Sequence, residues 1–207
     1  MDTVNYINNL MLLAEEINEN VLVSSPYSLV FEGLSNQELI DFQEKNEVIL
    51  DSGIKDFFSQ CNYVEIEWEL KKNYSAYDVS GKIFFPELDS IFNGFEGSGW
   101  KDVLYLQSGE LINNKYFPFD LGISEEIVCF KLENKIVKNN LYLVSIYEDK
   151  VIDLNMDIEK YIGLTLRTKG FEFWQRSIIY PESNEGKRLK KYLPVIFKET
   201  AFPLIFT

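Results

Sequence analysis

The sequence predicts a soluble, acidic α+β domain, and three observations lead to this prediction. Apolar and acidic residues alternate over residues 64–70, which is the period of a strand with one buried face. Several other stretches space their apolar residues as an amphipathic helix does. The composition is 46% hydrophobic and 15% aromatic, which is typical of a chain that folds around a core. We expect one domain over residues 1–207.

The chain opens with a predicted helix followed by short strands. Apolar residues at helical spacing indicate an amphipathic helix that begins near Asp2 or Thr3 and ends near Asn18. Two short strands are expected at residues 21–23 and 27–31, on either side of a proline that suits an edge or a turn.

Two more helices are predicted before the alternating strand. Ser35 and Glu38 have the spacing of a capping box, in which each side chain accepts from the other residue's backbone amide. A helix should therefore run from Asn36 to about Asn46. The next helix is expected over residues 51–60, with an aspartate or serine as its cap.

The strand at residues 64–70 has one apolar face and one acidic face. Glu65, Glu67 and Glu69 lie on the acidic face, and we take them as candidate partner-binding residues because carboxylates form charge-assisted hydrogen bonds with arginine. The alternative is an ordinary solvated strand face. A second strand is expected at 82–85 after a polar turn at 77–81, and Pro86 then opens a helical turn at 87–92.

A glycine-rich stretch at 93–99 predicts a loop, and the residues after it supply more candidate contacts. Trp100 and Asp102 pair an aromatic residue with an acid, as interface anchors often do, although burial of the tryptophan is the competing interpretation. Asp120 ends the short extended stretch Tyr116–Asp120, whose corner is either a binding edge or a turn. Two strands are expected at 126–132 and 140–147, joined by a turn at 133–135.

Helices are predicted to close the chain. Helical spacing over residues 153–167 indicates one helix, which Gly170 should stop. Residues 171–175 begin another helical segment. A basic helix is expected at 185–192, with Pro194 marking its end.

The net charge of −13 is unevenly distributed along the chain. Residues 1–69 contain 14 acidic and two basic side chains, whereas residues 70–207 contain 19 and 18. This asymmetry argues against nucleic acid and anionic membranes as ligands and favours a basic protein partner. The alternative is that the charge only keeps the protein soluble. We expect a cytoplasmic protein, because the sequence contains neither a long apolar run nor a secretory leader.

The inventory of reactive side chains favours binding over catalysis. The chain has no histidine, and Cys61 and Cys129 are far apart, so we expect neither a metal site nor a cofactor. Adjacent acids such as Glu87 with Asp89, or Glu125 with Glu126, leave a carboxylate-dependent hydrolase as an alternative. No histidine or metal motif completes such a mechanism, so we predict that the protein is not an enzyme.

Several segments, taken in order, resemble one protein family. These are Leu34 with the helix to Asn46, the stretch at 81–92, the tryptophan segment at 100–104, the corner at 117–120, and the stretches at 140–143 and 170–175. Together they resemble the SUKH superfamily, the Smi/Knr-type domain of fungal cell-wall regulators and bacterial immunity proteins. The resemblance is strongest over residues 34–177, with the first helix and short strands at 1–33 and the last helix and tail at 178–207 outside it.

The resemblance implies a fold and a role. Members typically have an α+β fold with a mixed, mainly antiparallel sheet and flanking helices, and they bind other proteins. Many bacterial members neutralise polymorphic toxins, often nucleases, so the resemblance implies an immunity protein with a basic toxin domain as its partner. A regulatory scaffold similar to the fungal members is the alternative.

Overall fold

The computed structural model describes residues 4–74, 78–93, 116–122, 126–145 and 150–198. The helices in this part of the chain are α1 (Tyr6–Glu19), α2 (Asn36–Asn46), α3 (Ser52–Gln60), α4 (Leu88–Asn93), α5 (Ile158–Thr168), α6 (Trp174–Ile179) and α7 (Asn184–Ile196). The strands are β1 (Val23–Glu32), β2 (Ile49–Leu50), β3 (Cys61–Leu70), β4 (Ser80–Phe85), β5 (Tyr116–Asp120), β6 (Glu126–Glu133), β7 (Ile136–Ser145) and β8 (Lys150–Asp153).

The strands form two sheets. The three-stranded sheet has the order β1-β3-β4 and is antiparallel throughout. The five-stranded sheet has the order β2-β7-β6-β5, with β8 also paired to β7. Its strands pair antiparallel except for the short parallel contact between β2 and β7. The predicted α+β class, with mainly antiparallel sheet and flanking helices, is confirmed.

The free side of β4 is occupied by other parts of the chain. The amide of Lys82 donates to Gly170 O at 2.8 Å, the amide of Glu172 donates to Ser80 O at 3.0 Å, and the amide of Leu121 donates to Phe84 O at 2.9 Å. Because these acceptors and donors come from the segments after α5 and β5, the edge of β4 is satisfied within the protein.

A single large apolar core lies beneath the inner face of the three-stranded sheet and extends to the five-stranded sheet. The alternation predicted for β3 places Val64, Ile66 and Trp68 in this core. Helix α1 buries Leu10 and Ile17 in the same core. The inner face of the sheet is therefore covered, and the glutamates of β3 point to the other side.

The prediction of two short strands before α2 is wrong in one respect. A single strand, β1, spans both, with a register shift between Ser24 and Tyr27 where Ser25 adopts a φ of 47°. A bulge of this kind lets one strand continue past a proline. Helix α1 begins at Tyr6 with Asn5 as its cap, and the expected start at Asp2 or Thr3 falls outside the described residues.

Two predictions for the second half of the chain are also corrected. The helix expected from residue 153 begins at Ile158, because the residues up to Asp153 form β8 against β7 and Asp157 caps the helix. Helix α7 does not stop at Pro194 but continues to Ile196. A proline in the last turn removes one hydrogen bond, and the buried Leu193 and Ile196 keep that turn packed.

Short sequence motifs predicted the boundaries of several other elements correctly. The capping box of Ser35 and Glu38 is present, and α2 has the predicted limits. Asn134 and Lys135 have φ values of 49° and 66° and form the two-residue turn between β6 and β7. Strand β7 starts at Ile136, earlier than predicted, and the turn expected at 77–81 ends sooner because Ser80 and Gly81 belong to β4. Asn93, the first residue of the predicted loop at 93–99, ends α4, and the rest of that stretch lies outside the described residues.

Candidate functional site

Glu65, Glu67 and Glu69 lie on the outward face of β3, as the alternation predicted. Glu65 and Glu67 are half-buried by their neighbours in the sheet, and Glu69 is exposed. Glu65 is paired with Leu29 of β1 and Phe84 of β4, and Glu67 with Tyr27 and Lys82. The structure therefore brings the three candidate carboxylates together on one face of the three-stranded sheet.

A lysine lies among these carboxylates. Lys82 contacts the carboxylate of Glu67, and its Nζ is 3.6 Å from Glu65 Oε1. Tyr63 donates its hydroxyl hydrogen to Glu65 Oε2 at 2.8 Å. Two of the three candidate carboxylates therefore already have partners in this chain. Glu69 is the most accessible of the three.

An apolar row lies beside the carboxylates. Tyr27, Leu29 and Phe31 are the outward residues of β1, and 45%, 36% and 46% of their surfaces are exposed. The Phe31 ring packs against Tyr63, with centroids 5.1 Å apart. We call Tyr27, Leu29 and Phe31 the apolar stripe. Together with the carboxylates of β3, it makes the outer face of the sheet both apolar and acidic.

The exposure of the apolar stripe was not predicted from the sequence. Residues 27–31 were recognised as a strand, but no charged residue among them marks which side faces solvent. Helix α1 packs on the inner side of the sheet, where Val30 contacts the core, so the opposite face of β1 is exposed. The available signal was the alternation of large and smaller residues over this strand, which predicts two faces without saying which is covered.

Tyr63 connects the apolar stripe to the carboxylates. Its ring lies between Phe31 and Phe84, the latter with a centroid distance of 5.8 Å. Burial of the phenol, and then its hydrogen bond to Glu65, raise the pKa of Tyr63. The hydroxyl therefore stays protonated at neutral pH and acts as a fixed donor that orients the Glu65 carboxylate.

Asp120 does not belong to this surface. Its side chain is 2% exposed and lies at the end of β5 against α5 and α6. Asp120 Oδ2 accepts from the Tyr161 hydroxyl at 2.6 Å and from Gln175 Nε2 at 3.3 Å, and Oδ1 accepts from the Gly122 amide at 2.8 Å. Burial raises the pKa of Asp120 to about 6, although these hydrogen bonds oppose the shift. Its role is internal, which corrects its assignment as a partner contact.

The remaining candidate residues are placed as follows. Trp100 and Asp102 lie outside the described residues. The described acidic side chains of the first 69 residues are divided among α1, β1, α2, α3 and β3 and the caps of these helices, so the asymmetry in chain order is spread over several elements. Glu16 of α1 and Glu47 after α2 form ion pairs with Lys169 and Lys135. The β3 carboxylates adjoin the exposed apolar stripe.

Possible metal ligands and the two cysteines can be placed within the described residues. Within the ranges given above, no group of three or more His, Cys, Asp or Glu side chains could hold a metal ion. Cys61 and Cys129 are buried free thiols. Burial raises the pKa of Cys61 to about 12 and raises that of Cys129 as well, so neither is an activated nucleophile.

No protein-family model and no curated protein sequence matches this chain. Among the helices in the described part of the structure, none is both long enough and apolar enough to cross a membrane.

Proposed function

We propose that this chain is a non-enzymatic binding protein of the immunity type, which neutralises a cognate toxin by direct contact in the cytoplasm of the cell that makes it. The proposal continues the resemblance to the SUKH superfamily and locates the contact on the outer face of the three-stranded sheet. The partner is a basic protein domain, because a toxin that holds nucleic acid must present cationic groups, which carboxylates can meet.

The observation that carries the proposal is the combination of the apolar stripe with carboxylates on one face. Exposed apolar residues are normally scattered singly over a protein surface, whereas three consecutive outward residues of one strand form a contiguous patch. Tyrosine and phenylalanine are also enriched at the centres of interfaces, with charged groups around them. Such a patch suits a partner with its own apolar centre and a cationic margin.

Lys82 determines how much each carboxylate contributes. An arginine that approaches Glu65 or Glu67 must share the carboxylate with Lys82 or displace it, so the net gain at these two residues is small. Glu69 is free of this competition. The carboxylates therefore act mainly on the rate of encounter and on orientation, while the apolar stripe supplies most of the affinity.

The experiment begins with affinity capture from the native host and identification of the bound protein. The triple variant Glu65→Gln, Glu67→Gln, Glu69→Gln should then associate about three- to tenfold more slowly with that partner, because steering is lost. The salt dependence of its association rate should weaken, and its dissociation rate should change little. Surface plasmon resonance at several ionic strengths measures all three quantities.

A matched variant separates local from global charge. Glu19→Gln, Glu44→Gln and Glu159→Gln remove the same charge from exposed positions on α1, α2 and α5. This control should associate nearly as fast as the wild type. Equal slowing of both variants would show that net charge alone steers the partner. The proposal would be contradicted by a captured partner that is acidic, or by one whose association rate is the same with the triple variant as with the wild type.

A further inference from the structure

The two edges of the three-stranded sheet differ. The edge of β4 is satisfied by backbone groups from Gly170, Glu172 and Leu121. No backbone group from another described residue pairs with the opposite edge, along β1, between Tyr27 and Glu32. An edge left with unpaired amides and carbonyls is a template for an additional strand.

The hydrogen-bond pattern identifies the groups at this open edge. The Leu70 amide donates to Val79 O at 2.8 Å, so the even-numbered residues of β3 pair with β4 and the odd-numbered residues pair with β1. Tyr27, Leu29 and Phe31, which oppose odd-numbered residues, therefore direct their amides and carbonyls to β3. Those of Ser28 and Val30 point away from the sheet.

The open edge has limits that define what can pair with it. The register shift at Ser24 and Tyr27, with Pro26 inside it, prevents regular pairing on the N-terminal half of β1. Regular pairing with β3 remains from Tyr27 to Phe31, because a second register shift lies between Phe31 and Glu32. A segment paired there would make up to four backbone hydrogen bonds, through the amides and carbonyls of Ser28 and Val30.

The side chains around the open edge are apolar and acidic. On the outer side, the added segment would lie beside the apolar stripe. On the inner side is the flank of α1 that contains Met11, Glu15 and Asn18, which helical spacing places in one row. Asn18 Nδ2 lies 3.5 Å from Ser28 Oγ, which puts this row next to β1, and Met11 is 51% exposed.

A groove continues the edge at the end of β1. It has a volume of about 570 Å³ and is lined by residues in and just before α1, at the end of β1 and in α3, among them Val4, Ile7, Glu32 and Gly33. Val4, just before α1, and Ile7 of α1 supply apolar lining, and Glu32 supplies a carboxylate. A strand that leaves β1 in the direction of Glu32 would enter this groove.

We propose that β1 accepts an extended, cationic segment of the partner as a fourth strand of the sheet. This rests on the proposed function, since it describes how the basic partner engages the same face. Apolar side chains of the segment contact the apolar stripe and the groove, and its lysines or arginines lie near Glu15 and Glu32. The backbone bonds add to the affinity that the apolar stripe supplies, and the alternating side chains of the segment supply selectivity.

Amide exchange measured by NMR tests the proposal with a defined probe. The probe is an acetylated, amidated octapeptide of alternating valine and lysine. In the free protein the amides of Ser28 and Val30 should exchange quickly, whereas those of Leu29 and Phe31, bonded to β3, should exchange slowly. Saturation with the peptide should slow the Ser28 and Val30 amides by about tenfold or more and leave the other two unchanged.

Two control peptides separate strand pairing from charge attraction. A peptide of the same sequence that is N-methylated at alternate residues keeps the charge but loses the donors, and it should give no protection. A valine and glutamate octapeptide should not bind. Protection of Ser28 and Val30 in the free protein that rises with protein concentration would assign the edge to a second copy and overturn the proposal.

Variants of Ser28 complete the test. Ser28→Pro removes an edge amide and blocks pairing, while the bonds that Tyr27 and Leu29 make to β3 are kept, so peptide binding should be lost. Ser28→Ala keeps the amide and should bind as the wild type does. If the peptide binds but the exchange rates of the Ser28 and Val30 amides do not change, strand addition is wrong. The proposed function would still stand if the glutamate variants of β3 slow the association of a basic partner.

Discussion

At the scale of single residues, Asp120 is a buried carboxyl group whose pKa burial raises to about 6. A buried carboxylate without partners would be strongly unfavourable, and this one accepts hydrogen bonds from Tyr161, Gln175 and Gly122. Those partners belong to α5, α6 and the segment after β5. The network therefore ties two helices to the edge of the five-stranded sheet, and it does so with a group that titrates.

The titration of Asp120 predicts a dependence of stability on pH. The pKa is about 6 in the folded protein and 3.8 for an unperturbed aspartate. Because the folded state holds the proton more tightly, this group contributes stability that is present below about pH 4 and lost as the pH rises through 6, about 3 kcal/mol in all. Asp120→Asn removes the titrating group.

Urea unfolding of the wild type and Asp120→Asn between about pH 4 and pH 7.5 measures this effect. The difference in unfolding free energy, wild type minus variant, should fall by about 3 kcal/mol towards neutral pH. The other carboxylates titrate in both proteins, so the difference isolates Asp120. A difference that stays constant across this range would show that the folded carboxyl titrates normally.

At the scale of elements, β4 meets β3 with the tightest fit at Gly81. A Cβ added there would lie 2.2 Å from Trp68 Nε1, and that indole donates to Lys169 O at 2.7 Å. The glycine is required by this close approach, because any side chain would push the buried indole away from its acceptor. The contact joins the three-stranded sheet to the end of α5.

Gly81→Ala should therefore destabilise the protein by about 1–3 kcal/mol, as overpacking does, and should shift the tryptophan emission. Gly163→Ala is the matched control, since an added Cβ meets no atom within 4 Å in the middle of α5. That change should be neutral or should stabilise by about 0.5–1 kcal/mol, because alanine favours a helix. Urea unfolding followed by fluorescence compares the two variants. Equal changes in the free energy of unfolding would show that close packing does not require glycine at position 81.

Elements with a strong local signal were predictable from the sequence, and those fixed by distant partners were not. The alternation at 64–70 and the capping box at Ser35 lie within a few residues, and both predictions are confirmed. Strand β8 has no alternating pattern of its own and exists because β7 offers it an edge. The apolar stripe was missed for a related reason, since only the position of α1 reveals which side of β1 is open.

At the scale of the whole molecule, chain order and spatial order differ. The acidic excess of the first 69 residues favours a basic partner, yet folding divides it among α1, β1, α2, α3 and β3, and ion pairs with Lys82, Lys135 and Lys169 neutralise part of it. What remains distinctive is local, a few carboxylates beside exposed apolar residues. Candidate sites in acidic proteins are better sought where charge and apolar surface coincide than where charge alone accumulates.

The prediction of one domain over residues 1–207 can be tested as cooperativity. The core is continuous beneath both sheets, and the edge of β4 bonds to the segments that follow β5 and α5. Trp68 lies in the three-stranded sheet, whereas Trp174 lies in α6 beside Tyr161. Because these regions share one core, we expect them to unfold together.

Incorporation of 5-fluorotryptophan gives each tryptophan its own fluorine NMR signal, which Trp→Phe substitutions assign. In a urea titration, the native signals of Trp68 and Trp174 should disappear with one midpoint and one slope, as a two-state domain requires. Separate midpoints would divide the chain into two units. Partner contact at β1 would then stabilise only the three-stranded sheet, whereas a common midpoint means that binding at this edge raises the stability of the whole fold.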